Sequence, residues 1–186
     1  MNKIVVYSNG NQQLLYYPEF FTRSYFELLK HELPWQQNDI RVFGKLYKEP
    51  RLTCWFGPAY KYSSIQWPEA AFPGLINEIA MQLNGVADLS FNAVLANYYR
   101  SGNDSMGWHS DNEPEMDKSL IASVTFGGNR IFKMRNRSNG QKIDFELADS
   151  SLLIMRHMQD NWQHAIPKSK TRIEPRINLT YRRIVY

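Results

Sequence analysis

Cysteine is nearly absent from this chain of 186 residues; Cys54 is the only one. A single thiol excludes an intramolecular disulfide and leaves no thiolate cluster for structural zinc. Long hydrophobic runs are absent too, and no stretch approaches the roughly 20 apolar residues that a membrane-crossing helix needs. The first residues, Met1 to Tyr7, are too short and too polar for a secretory signal peptide. Lysine and arginine are dispersed and form no run that would mark a nuclear address. There is no internal repeat and no linker. These absences predict one reduced, soluble, intracellular domain over 1–186, cytoplasmic or nuclear, monomeric and without a membrane partner. Histidine is scarce, with four in all: His31, His109, His157 and His164.

What the chain does have is aromatic rings and a mild positive charge. Lysine plus arginine is 22 against 18 acidic residues, a net charge of +4, which permits a polyanionic partner without requiring one. Eleven tyrosines, ten phenylalanines and five tryptophans can fill a core and can also stack on bases.

The spacing predicts a helix over 19–32, with Phe21, Tyr25, Leu28 and Leu29 on one stripe, and another over 73–83. Between them, about 40–68, aromatics alternate with basic residues and glycines, as in a lid. An apolar tip beside Gly44 and Lys45 reads either as an ordinary hairpin or as a wedge for a base stack. From about 91 to 186 short strands follow one another at close spacing, with Asn139-Gly140 a hairpin signal. That pattern predicts a mainly-β fold with flanking helices, of the sandwich or jelly-roll kind. Its cupin-like form opens at one end around a metal.

Two residues separated by one on a strand point the same way, so His109 and Asp111 of Trp108-His109-Ser110-Asp111 should share a face. A distant histidine, His164, would complete two imidazoles and one carboxylate, a set typical of non-haem Fe(II) oxygenases. Taken alone, the pattern is equally compatible with ordinary surface or core residues.

Further motifs sharpen this. They are Asn97-Tyr98-Tyr99, Trp108 to Glu113, Ala122 to Gly127, Leu152 to Met155, Trp162-Gln163-His164 and the block Arg176-Ile177-Asn178-Leu179-Thr180-Tyr181-Arg182. In order and content the chain, from about Arg41 to Tyr186, resembles the AlkB-like Fe(II)- and 2-oxoglutarate-dependent dioxygenases, above all the homologues that repair alkylated nucleic acid. The resemblance implies a double-stranded β-helix. It also implies that His109, Asp111 and His164 hold iron, and that Arg176 pairs with the distal carboxylate of the co-substrate 2-oxoglutarate. Arg182 would stand near the metal, while Asn97, Tyr99 and Asn178 would line the co-substrate site. It implies that Tyr60 and Tyr62 contact the base, that Phe43 enters the stack, that Arg51 belongs to the substrate segment and that Glu113 lies beside the pocket. Lys45, Lys61, Arg135, Arg137 and Lys168 join Arg51 as candidates for phosphate contact. The implied reaction uses O2 to remove the methyl group of N1-methyladenine or N3-methylcytosine in DNA or RNA. Val42-Phe43-Gly44 resembles the member that prefers duplex DNA, and Pro50 to Gly57 the member that prefers single strands. His31 and His157 are given no part in the metal site. The rival expectations are another substrate for the same chemistry, a metal-free module that binds methylated nucleic acid, and a plain structural β domain.

Overall fold

The computed structural model describes residues 2–42, 44–62, 65–86 and 91–185, and of Val42, Lys61 and Tyr62 the backbone alone. The first hairpin is β1 (Ile4–Asn9) and β2 (Gln12–Tyr17), followed by helix α1 (Phe26–Glu32). Two more hairpins follow, β3 (Asp39–Val42) with β4 (Lys45–Lys48) and β6 (Tyr60–Tyr62) with β7 (Ile65–Trp67), with the strand β5 (Leu52–Phe56) between them. After helix α2 (Gly74–Leu83) the chain runs through β8 (Ala93–Tyr99), β9 (Met106–His109), β10 (Leu120–Gly127) and β11 (Arg130–Asn136). It ends with β12 (Lys142–Leu147), β13 (Ser151–Arg156), β14 (Trp162–Ile166) and β15 (Arg176–Arg182).

Seven strands form one antiparallel sheet in the order β1-β2-β13-β10-β15-β8-β5, and four form a second in the order β12-β11-β14-β9. Two-stranded ribbons, β3-β4 and β6-β7, complete the set among the described residues. The mainly-β character was expected, but the double-stranded β-helix is corrected: no sheet closes into a barrel. The larger sheet ends at β1 and β5, the smaller at β12 and β9. Closure depends on strand tilt and stagger around the ring, and strand spacing along a sequence carries neither.

Side chains alternate across the large sheet and feed two cores. On one face Val94, Ala96, Ala122, Val124, Phe126, Leu152, Ile154, Ile177, Leu179 and Tyr181 pack with Leu29 of α1 and Ile76, Ile79 and Leu83 of α2. On the other, Leu14, Tyr16, Leu95, Tyr99, Ile121, Leu153 and Met155 meet Phe132, Met134, Leu147, Trp162 and Ile166 of the small sheet. Each such aliphatic or aromatic side chain contributes about 1.5–3 kcal/mol by leaving water. Tyr181 also ties β15 to α2, its hydroxyl donating to the Ile76 carbonyl at 2.8 Å.

Helix α1 begins seven residues later than the spacing predicts. The amides of Phe20 and Phe21 both donate to the Ser150 carbonyl at 3.0 Å, so this part of the chain is tied to the sheet instead of coiling. Its rings are buried all the same. Within 40–68, Leu52 to Phe56 pairs with Val94 to Tyr98 as the edge of the large sheet, and the two ribbons lie outside both main sheets. The Asn139-Gly140 hairpin forms as expected, with Gly140 at φ 76° between β11 and β12.

Candidate metal centre

Strands β9 and β14 pair with His109 opposite His164, which brings the two imidazoles to 4.2 Å between ring centroids. Asp111 lies two residues past the end of β9 and not on it, so strand alternation is not what aims it inward. Three contacts hold this segment instead. The Ser110 hydroxyl donates to the Trp162 carbonyl at 2.7 Å, the Asp111 amide donates to Gln159 Oε1 at 3.0 Å, and Arg182 Nη2 donates to Asp111 Oδ1 at 2.7 Å. As a result, one donor atom from each of His109, Asp111 and His164 lies within 4.8 Å of the others.

The donors are in the form a metal requires. His109 Nδ1 sits 2.9 Å from the Gly107 carbonyl. That contact needs a proton on Nδ1 and leaves a lone pair on Nε2, which lies 3.9 Å from Asp111 Oδ1. Asp111 Oδ2 is buried with no hydrogen-bond partner. Burial holds both imidazoles below their ordinary value, His164 down to about 3 with His109 adding to the effect. Burial alone would push the Asp111 carboxyl up, but Arg182 and the two histidines more than reverse it and leave it below the usual range. Neutral imidazoles and an ionised carboxylate are the ligating states. Two nitrogens and one oxygen, with one buried oxygen lacking a partner, fit ferrous iron.

The same three residues line one cavity. Alternate residues of β15, namely Arg176, Asn178, Thr180 and Arg182, face it, as do Asn97 and Tyr99 of β8. Arg176 is 1% exposed, donates from Nη2 to Thr125 Oγ1 at 2.9 Å and lies 5.3 Å from the Tyr99 ring centroid. Its Nε and Nη1 have no hydrogen-bond partner, and burial pulls its pKa down to about 10. A buried guanidinium with two open donors is a receptor for a planar anion such as a carboxylate. Asn178 is committed to the protein, donating to Ser123 Oγ and the Val124 carbonyl and accepting from Thr180.

Tyr60 is buried and stacked on Trp55, with centroids 4.8 Å apart and planes at 16°. It lies close enough to Glu113, Asp111 and Arg182 to feel their charges. Burial raises the Glu113 carboxyl, with the Asp111 charge adding to it. Arg51 is buried and bonded to Glu49 and Asn97, not offered to solvent. Phe43 and the side chains of Lys61 and Tyr62 lie outside the described residues. Arg135 reaches over the Trp108 ring at 4.4 Å and is held by Gln163. Lys45, Arg137 and Lys168 are exposed. His157, at φ 50°, stands outside the donor cluster. Gln159, Thr125 and Glu49 were not singled out by the sequence. Gln159 and Thr125 act through contacts between distant parts of the chain, whereas Glu49 has a local sign, its E-x-R spacing to Arg51.

A family model described as the 2OG-Fe(II) oxygenase superfamily matches residues 13–182. The chain belongs to this superfamily. It is 37% identical over 174 residues to a cattle (Bos taurus) alpha-ketoglutarate-dependent dioxygenase alkB homolog 3, covering 87% of this chain and 61% of the relative. It is 35% identical over 159 residues to the human DNA oxidative demethylase ALKBH2, covering 78% of this chain and 61% of that protein. The chain thus spans about three fifths of the length of these relatives. The solved structure of OsALKBH1 superposes with a TM-score of 0.60 at 14% identity, covering 95% of this chain and 98% of that one. That likeness concerns the fold. Among the described residues no helix is long and apolar enough to cross a membrane.

Proposed function

We propose that this superfamily member catalyses Fe(II)- and 2-oxoglutarate-dependent oxidative dealkylation of N-alkylated bases in nucleic acid, with N1-methyladenine and N3-methylcytosine as substrates. The observation that carries the reading is the meeting, in one cavity, of the His109, Asp111 and His164 donors with the open guanidinium of Arg176. The similarity to alkB homolog 3 and ALKBH2 favours nucleic acid over other substrates of the superfamily.

In this reading His109, Asp111 and His164 hold the metal, and Arg176 takes the distal carboxylate of the co-substrate in a space walled by Asn97, Tyr99 and Asn178. When bound, iron, 2-oxoglutarate and O2 supply the oxidising power that hydroxylates an N-methyl group, which then leaves as formaldehyde. Arg182 keeps Asp111 ionised and oriented. The apolar walls, Leu95, Met106, Phe132 and Ile166, exclude water from the reacting atoms. Tyr60 and Glu113 face the base, and an alkylated base carrying positive charge favours the ionised form of Glu113. Phe43 and Tyr62 complete the base contacts. The chain works as one domain, with the ribbons of 40–68 as its nucleic-acid surface and Lys45, Arg137 and Lys168 on phosphates. The target lies on the Watson–Crick edge, so a duplex must flip its base, which is cheapest where alkylation already spoils pairing.

The test is a turnover assay on matched single-stranded DNA, duplex DNA and RNA carrying either lesion, with Fe(II) and 2-oxoglutarate, and Asp111→Ala as control. Loss of the methyl mass together with succinate, both absent in the variant, is expected. Succinate without demethylation would overturn the substrate. Neither product, from protein shown to hold iron, would overturn the reaction.

A further inference from the structure

Arg51 does not line the cavity, yet it is 3% exposed and charged. Its Nε donates to Asn97 Oδ1 at 2.7 Å and its Nη2 to Glu49 Oε1 at 2.9 Å. The other carboxylate oxygen, Glu49 Oε2, accepts from Thr53 Oγ1 at 2.8 Å and from Asn38 Nδ2 at 3.3 Å. These contacts link Asn38, Thr53, Glu49 and Arg51 in series and end on an asparagine that does line the cavity.

A guanidinium can only donate. Asn97 must therefore turn its amide oxygen toward Arg51, and its NH2 becomes the end left for the cavity. Without that demand the amide could rotate by half a turn and present its oxygen, which would repel an anion. A buried ion pair adds little stability compared with well-packed apolar side chains. What this pair does fix is the direction of one hydrogen-bond donor. Glu49 neutralises Arg51 and holds it in place, and Arg51 sets Asn97.

We infer that Arg51, backed by Glu49, is a positioning residue that orients the Asn97 amide as a donor to an anionic co-substrate in the cavity. This rests on the reading of the cavity as a 2-oxoglutarate site. It also gives Arg51 a task different from touching phosphate or base.

The experiment is calorimetric titration of 2-oxoglutarate into Mn(II)-loaded protein, so that binding is read without turnover, alongside titration of Mn(II) alone. Arg51→Met, Asn97→Ala and the double variant are compared with the wild type. Loss of one such charge-assisted bond should weaken 2-oxoglutarate about tenfold in each single variant, with no loss of Mn(II) affinity, since the Arg51 charge acts against a cation at His109. The double variant should be no weaker than Asn97→Ala, because the positioning role routes the effect of Arg51 on the co-substrate through Asn97. Arg51→Lys, which keeps the charge beside Glu49 but not the fork, should fall between, and it carries the test if Arg51→Met does not fold. Wild-type affinity in the Arg51 variants, losses that add in the double variant, or parallel loss of Mn(II) would overturn the positioning role. A wild-type protein that binds Mn(II) but no 2-oxoglutarate would overturn the cavity reading itself, and the positioning role with it.

Discussion

Arg182 Nη2 donates to Asp111 Oδ1 across 2.7 Å, and both side chains are almost wholly buried. Neither charge has water to fall back on. Breaking such a pair from one side leaves a bare buried charge, at a cost of about 3–5 kcal/mol. Arg182→Met should therefore lower stability and let the Asp111 carboxyl rise toward protonation. Metal affinity should drop by about 10–100-fold. Mn(II) titration at neutral pH checks this, and wild-type affinity in the variant would refute it.

Arg176 presents the opposite balance. Its buried, partly open guanidinium is a burden on the empty fold. Arg176→Met should raise the melting temperature of the ligand-free protein, by on the order of 1–3 kcal/mol in stability. The wild type should gain about 2.7 kcal/mol from 2-oxoglutarate at 100 times its Kd in the presence of Mn(II), and the variant should gain none. Thermal melts with and without co-substrate separate the two effects.

The metal-free protein should lose stability on mild acidification. His164 titrates near 3 in the fold against 6.5 ordinarily, so between these values the unfolded chain takes a proton that the native one refuses. Above 6.5 neither state is protonated and nothing is lost. Below it stability falls with pH by up to about 1.4 kcal/mol per unit for this group, and His109 acts in the same direction. Asp111, held below 3.8, keeps its contribution down to about that value and loses it below. Melts of chelator-treated protein from pH 7 to 5 should show the decline, and His164→Gln should flatten it. An equally steep slope in that variant would place the effect elsewhere.

Gly128 lies against the backbone of Glu174, where an added Cβ would sit 2.1 Å from the carbonyl oxygen. Its neighbour Gly127 is at φ 86°, and an added Cβ there would fall 2.5 Å from the Pro175 carbonyl oxygen. This close approach sets the entry to β15. Gly128→Ala should cost on the order of 3 kcal/mol in urea denaturation, whereas Gly140→Ala, in open space though strained in φ, should cost less.

Much of the site could be read from local pattern. Arg176, Asn178, Thr180 and Arg182 are spaced by two, which puts them on one strand face, and all four line the cavity. The H-x-D spacing found the right residues for an incomplete reason, since Asp111 is aimed by Arg182 and Gln159 and not by strand alternation. Strand β14 carries a weak local signal, because Trp162 to Ile166 mixes polar and apolar residues with no clean alternation. Arg51 looked like a surface cation because its partner Asn97 is 46 residues away, and sequence spacing does not report such pairings. Sheet closure was overestimated for the same kind of reason, since it is a relation among all strands at once.

All seven residues of β15 are buried, one set toward the cavity and the other toward the helices. A single strand thus carries both the chemistry and much of the fold's cohesion. Variation that retargets this protein has little room there, because a change suited to a new substrate must also satisfy strands on either side. The ribbons β3-β4 and β6-β7, outside both main sheets, carry no such double duty. Selection for new substrates should therefore accumulate substitutions in the ribbons and leave β15 almost untouched.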